Sequence, residues 1–246
     1  MTKKYHSVLK YDNIIVPIDI YKEMRMDVRV SIVKDKAIIR VPLFYTKKQM
    51  DKNHEWAKEW ILNHLKNNKK TRDRFIVKRY FSGDELKINE KTFILEINLT
   101  TNKNYSAILD RNIIKISVPS AVKDDLEKQN AIKTLQSRVV AQYFQNEIAK
   151  RITDINRRFF GFQINNIRLK YNKTNWGSRS AKSNINISTR LLFAPKDVQD
   201  YVFIHELAHF KEMNHSPKFW KIVREIMPDY KEKEKWLKAN GHNCDF

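Results

Sequence analysis

An α+β fold is predicted for this chain by three observations. Two stretches alternate apolar and polar residues with the period of strands, each ending at a proline, Pro42 or Pro119. Each is followed by a run with helical spacing. The final third then carries mostly helical patterns, one of which holds a pair of histidines four residues apart.

Taken in order, Ile14, Val16, Ile18 and Ile20 alternate and predict an early strand within residues 1–23. Val28, Val30 and Ile32 alternate again, Lys34-Asp35-Lys36 reads as a turn, and Ala37–Val41 returns, which makes a hairpin. From Lys47 to about Asn67 the pattern becomes helical, with Trp56, Trp60, Ile61 and Leu65 expected on one side. Phe75–Phe81 leads into Ser82-Gly83-Asp84, a turn-like setting for one of only four glycines. The expected division is therefore 1–82, an N-terminal hairpin and helix region, and 83–246, with its catalytic core at about 124–246; one continuous domain is the alternative. Aromatic residues near this junction are expected in a core, where large rings bury the most surface.

The second part repeats the layout. Phe93, Leu95, Ile97 and Leu99 predict one strand, and Tyr105, Ala107 and Leu109 another. Asp110-Arg111-Asn112 turns the chain into Ile113–Val118, and a helix is expected from about Val122 to Phe160, with room for an interruption. Hairpin, proline and helix thus occur twice, which suggests an internal duplication. Ile164, Ile167 and Leu169 predict a strand leading to Trp176-Gly177-Ser178, where Gly177 allows a tight turn or a close approach. Asn184–Ser188 is polar at alternate positions, as a partly exposed edge strand would be. Pro195 is expected to stop the chain there, Asp197 to cap a helix and Val198 to begin it. A helix after Pro217 runs to Pro228, and a last one ends at Asn240-Gly241.

The chemistry sits in the helix after Pro195, which contains His205-Glu206-Leu207-Ala208-His209. Residues four apart in a helix lie one turn above each other, so both imidazoles can aim at one ion. Glu206 points to its side, able to reach a water there without taking a coordination position. His215 is the candidate third ligand. A continuing helix would turn it away, so the helix must break first; Asn214 tolerates the left-handed conformation, and Ser216-Pro217 reads as a cap and first residue of a new helix. Three protein ligands leave a fourth position open, as catalytic zinc requires. The apolar flanks, Tyr201–Ile204, Leu207, Ala208 and Phe210, imply a nearly all-round buried helix, where two histidines and a glutamate need a partner. One Zn2+ ion held by His205, His209 and His215, with Glu206 as general base, is the expected site. Tyr201, Arg190 and Tyr230 are candidates to stabilise an oxyanion.

Composition sets outer limits. No run approaches the ~18 apolar residues of a membrane span, and Met1–His6 lacks the apolar core of a signal peptide. The single Cys244 excludes an internal disulfide and suits a reducing compartment, so a cytoplasmic location is expected. Lys+Arg of 48 against Asp+Glu of 28 gives a net +20, enough to attract nucleic acid or another polyanion. The lysines are scattered, however, through every segment, with basic clusters at Lys69-Lys70-Thr71-Arg72 and Arg157-Arg158.

His205-Glu206-Leu207-Ala208-His209, Asn214-His215-Ser216-Pro217 and Phe219-Trp220 together resemble the YgjP-like metallopeptidase family, a relative of the SprT-like and WLM zinc proteases. Trp176-Gly177-Ser178-Arg179-Ser180 is similar to that family's W-G-S-C-S segment, and the likeness continues into Pro228-Asp229-Tyr230 and Trp236-Leu237. Two positions depart from the pattern: Arg179 stands where the family has cysteine, and Ser188 where it has asparagine. The resemblance implies a zincin-like metallopeptidase domain with a small sheet and an active-site helix. It also implies a protein or peptide substrate, three histidine ligands, Glu206 as base, and an edge strand that pairs with extended substrate. Two other functions fit the residues: a metal-dependent hydrolase of nucleotide phosphoanhydrides, and a nucleic-acid-associated protease or binding module acting on DNA- or RNA-bound proteins.

Overall fold

The computed structural model describes residues 3–246; Met1, Thr2 and the side chains of Lys3 and Lys70 fall outside it. The chain is α+β and divides into two compact units, Met1–Arg79 and Tyr80–Phe246. Among the described residues no helix is long and apolar enough to cross a membrane.

The first unit is a four-stranded sheet under one helix. Strands β1 (Lys3–Tyr11), β2 (Ile14–Glu23), β3 (Arg29–Ile32) and β4 (Ala37–Pro42) lie in the order β1-β2-β4-β3. β2 and β4 are parallel, and each outer strand pairs antiparallel with its neighbour. Asp12, at φ 51°, makes the β1–β2 turn. Val16, Ile18 and Ile20 of β2 and Ala37, Ile39 and Val41 of β4 form one apolar face. Helix α1 (Lys47–Asn67) covers it with Ala57, Ile61 and Leu65, spaced four apart along one stripe. Thr46 caps α1 through a reciprocal box with Gln49. Trp56 and Trp60 were expected on that stripe but are 48% and 37% exposed, because they lie about a quarter-turn off the Ala57–Leu65 line. A short helix α2 (Lys69–Arg72) and a backbone bond from Ile15 N–H to the Phe75 carbonyl close the unit.

The second unit opens on the same topology. Strands β5 (Glu85–Ile88), β6 (Lys91–Thr100), β7 (Ser106–Asp110) and β8 (Ile113–Pro119) take the order β5-β6-β8-β7, again with a parallel central pair. Helix α3 (Asp125–Phe159) is one uninterrupted element of 35 residues, capped by Asp124 and stopped before Gly161 at φ 72°. Its Ile132, Val139, Val140, Phe144, Ile148 and Ile152 run through the core of the unit.

A three-stranded sheet follows, made of β9 (Asn166–Lys170), β10 (Gly177–Arg179) and β11 (Asn184–Ser188) in the order β10-β11-β9. The strand Asn184–Ser188, expected at an edge, is therefore central. Its alternate polar residues reflect a sheet only three strands wide, whose two faces differ in burial. β9 is one edge, and Gln145 of α3 occupies it, donating to the Ile167 carbonyl and accepting from Leu169 N–H. β10 is the other edge. A 3-10 turn, Thr189–Phe193, leads to α4 (Lys196–Ala208), α5 (Pro217–Ile226) and α6 (Tyr230–Asn240). Pro195, not Asp197, occupies the cap position of α4; Asp197 lies in the first turn, where its charge suits the helix N-terminus. Gly241 ends α6 at φ −61°, so a left-handed cap is not its reason for being glycine. A Cβ there would stand 2.5 Å from both the Leu237 carbonyl and the Trp176 ring.

Candidate metal centre

Helix α4 is buried nearly all round: Val198, Tyr201, Val202, Phe203, Ile204, Leu207 and Ala208 are all shielded from water. That environment fixes its rotation, so the 205/209 side faces one cleft. The helix ends at His209, and the chain reverses through tight turns in which Phe210 and Lys211 N–H groups bond the Leu207 and Ala208 carbonyls. Asn214 does not take the left-handed conformation expected of it, since these earlier turns already reverse the chain. Ser216 then caps α5, accepting from Phe219 N–H, with Pro217 as the first helical residue.

The reversal carries His215 back to the helix. The ring centroids of His205, His209 and His215 stand 4.9 Å apart in every pair. One nitrogen from each lies within 4.8 Å of the others, and Nε2 of His205 faces Nε2 of His215 at 2.9 Å. Nδ1 of His209 lies 3.1 Å from the Glu212 carbonyl, which can only accept, so that nitrogen holds the proton and Nε2 is left as the base. Burial, reinforced by the two neighbouring imidazoles, pushes His205 down to about 3, and burial also lowers His209. Both are thus neutral near pH 7, the state a cation needs. Two Nε2 atoms facing each other at 2.9 Å, with the His205 ring held neutral by burial, would be a costly arrangement without a cation between them. The donor set fits a zinc ion.

Phe219, fully buried in α5, lies under all three imidazoles, with ring centroids 4.9, 4.6 and 4.8 Å away. Trp220 stacks on His215 and on Tyr230, and Tyr201 meets His205 edge-on. In the sequence Phe219 and Trp220 stood out only through the family resemblance, with no role at the site attached to them. Their distance of four and five residues beyond His215, immediately after a capped proline, was the available signal.

Glu206 is 6% exposed, and burial raises its carboxyl to about 7, opposed in part by the Arg179 backbone N–H. Gly177 of β10 packs directly on it: a Cβ would meet Glu206 Cγ and Oε1 at 2.7 Å. The glycine is there for close approach. The cleft around these groups, about 640 Å³, is lined by β10, the histidines, Tyr201, Met213, Glu234, Leu237 and Lys238. Arg190, a candidate for the oxyanion, is committed elsewhere. Its guanidinium donates to the carbonyls of Lys173, Gly241 and Cys244 and lies over the Trp176 ring at 4.8 Å.

Comparison with known proteins adds the following. No curated protein matches the chain. Two solved structures are similar to part of it. The metallopeptidase zymogen of Pyrococcus abyssi abylysin is 26% identical, over 37% of this chain and 92% of its own, with a TM-score of 0.34. The metallopeptidase zymogen of Methanocaldococcus jannaschii jannalysin is 24% identical, over 37% and 94%, also at 0.34. At those scores neither likeness bears on the site. The family described as YgjP-like, metallopeptidase domain, matches residues 26–240, which include β10, Glu206 and all three histidines. With most of its length so matched, the chain belongs to the YgjP-like metallopeptidase family.

Proposed function

We propose that this protein is a zinc-dependent peptidase in which His205, His209 and His215 hold one ion and Glu206 is the general base. The observation that carries the reading is the convergence of three imidazoles beside one buried carboxylate. A zinc ion there supplies Lewis acidity, polarising a carbonyl and bringing a water's pKa to about 7. Glu206 accepts the proton of the attacking water and passes it to the leaving nitrogen. Burial, which raises this carboxyl above the ordinary range, favours its taking up that proton. His209 is oriented through its Nδ1 bond to the Glu212 carbonyl.

Substrate enters as an extended strand along β10. That strand borders α4, and its outer edge is the one Gln145 does not occupy. Membership of a peptidase family favours a peptide over a nucleotide, and nothing in the comparisons favours nucleic acid. We place the protein in the cytoplasm, where its lone Cys244 would stay reduced.

The test is metal content together with casein hydrolysis. The wild-type protein is expected to bind one equivalent of zinc and to cut casein, with loss of activity in chelator. Glu206→Gln is expected to keep the zinc and lose hydrolysis by at least about 100-fold. Turnover retained in a zinc-loaded Glu206→Gln protein would remove Glu206 as base.

A further inference from the structure

We propose that Arg179 is a substrate-recognition residue: its guanidinium binds a carboxylate of the peptide, so the enzyme selects acidic substrates. The proposal rests on the peptidase reading above and adds to it the class of peptide.

Arg179 is the last residue of β10, and alternation along the strand places its side chain on the same face as Gly177, toward α4. It lines the cleft with Glu206 and the histidines. Its guanidinium lies over the Phe210 ring at 4.8 Å, and Phe210 is itself stacked on Phe162 at 5.1 Å. The fork is therefore held in place from below. What it lacks is an acceptor. Nη1 reaches only the Met213 sulfur, at 3.1 Å, a weak acceptor, and Nε is buried with no hydrogen-bond partner. Among the described residues no carboxylate forms an ion pair with it.

The two other half-buried arginines of the same unit differ. Arg190 donates to three carbonyls, and Arg151 to Gln199, Asp200 and the Lys196 carbonyl. A stacked guanidinium with idle donors on the wall of a cleft has the form of a carboxylate receptor, since its parallel N–H groups match two carboxylate oxygens. Met213, the group now against it, is 64% exposed and can swing aside. At another part of the lining, Glu234 and Lys238 pair with each other at 2.7 Å and cancel. Among the cleft's own side chains, apart from the reacting Glu206, Arg179 is then the charge left without a counter-ion, and it stands beside the metal site. The net charge of +20 would draw acidic peptides toward the surface, and Arg179 would fix one of their carboxylates beside the reacting bond. That carboxylate can come from an acidic side chain or from the peptide's C-terminus.

The experiment uses the full-length zinc-loaded protein and matched quenched peptides. Glu, Gln or Lys is placed in turn at each position flanking the cut, and each peptide is made with a free and an amidated C-terminus. Both kcat/KM and binding, the latter by anisotropy, are measured. At one position Glu is expected to exceed Gln by about tenfold or more, the size of a charge-assisted hydrogen bond. If the gain instead follows the free C-terminus, the terminal carboxylate is the ligand. Arg179→Met is expected to erase the ratio, Arg179→Lys to keep part of it, and Arg179→Glu to turn preference toward Lys. Ratios within about twofold at every position and for both termini overturn the proposal, because a residue that selects acidic peptides must separate Glu from its neutral isostere Gln. So does a preference that Arg179→Met leaves unchanged. Should Arg179→Met not fold, Arg179→Lys is read the same way, as a several-fold fall in the ratio when the fork is lost. Acidic peptides bound through Arg179 but never cut would defeat the peptidase reading and leave this one standing; peptides cut without charge preference would do the reverse.

Discussion

Gly177 and Glu206 show how a single missing methyl group sets the position of the proposed base. The Glu206 carboxylate occupies the space that a Cβ at position 177 would fill, and the Arg179 N–H from the same short strand helps hold it. Gly177→Ala must therefore displace the carboxylate while leaving the three imidazoles where they are. We expect normal zinc content and a kcat lower by about 100-fold, the usual cost of misplacing a catalytic group by an ångström. Inductively coupled plasma analysis beside casein kinetics measures both; an unimpaired kcat would mean that Glu206 has room to spare. The pairing of His205 with His209 was legible in the sequence because it depends on a local repeat, four residues per helical turn. The contact of Gly177 with Glu206 joins positions 29 residues apart, and no local period encodes it. The same holds for Arg190, whose three carbonyl partners lie up to 54 residues away, so that it read as a free cation.

At the scale of elements, the turn after α4 and the start of α5 act as one unit. Ser216 caps α5 and thereby sets the position of Phe219, whose ring supports His205, His209 and His215 together. Phe219→Ala leaves a cavity under the centre. We expect a loss of about 3–5 kcal/mol in stability, as for a buried phenylalanine. Zinc affinity is expected to fall about 10–100-fold, because the ligands lose the packing that orients them. Urea denaturation and competitive zinc titration check the two effects, and a variant as stable as wild type would show that the ring is not a support. Strands were legible to the degree that their burial alternates. β2 alternates over five residues and β8 over six, and both could be read; β5 has only Leu86 and Ile88, and among the described residues of β1 only Leu9 is buried. The central place of β11 was hidden for another reason: its outer neighbour β10 is three residues long and contains a glycine.

The whole molecule repeats one design. Both units order their four strands with the fourth inserted beside the second, and each follows the sheet with a helix. The repeat was visible as hairpin, proline and helix, but the outer strand that opens each sheet, β1 or β5, was not. Among the described residues the candidate metal centre lies in the second unit, so acid should act on the two through different groups. In the first unit, Asp19 is 5% exposed on the sheet face away from Val16 and Ile18. It is bonded by Lys36 at 2.8 Å, His6 at 2.7 Å and Lys4 at 3.3 Å. The Lys36 bond, with Lys4 adding to it against the cost of burial, lowers its carboxyl from 3.8 to about 2. Between those values the unfolded chain binds the proton and the folded chain does not. The stabilisation from Asp19 is therefore complete above about 4 and is lost as pH falls toward about 2. Asp19→Asn removes the charge that titrates. It should be less stable than wild type at pH 7, because Lys4 and Lys36 lose their counter-ion, and the gap should close progressively below about pH 4. Urea midpoints of the two proteins between pH 2 and pH 7 measure this. A gap that stays constant through that window would mean that Asp19 is held by packing and not by its charge.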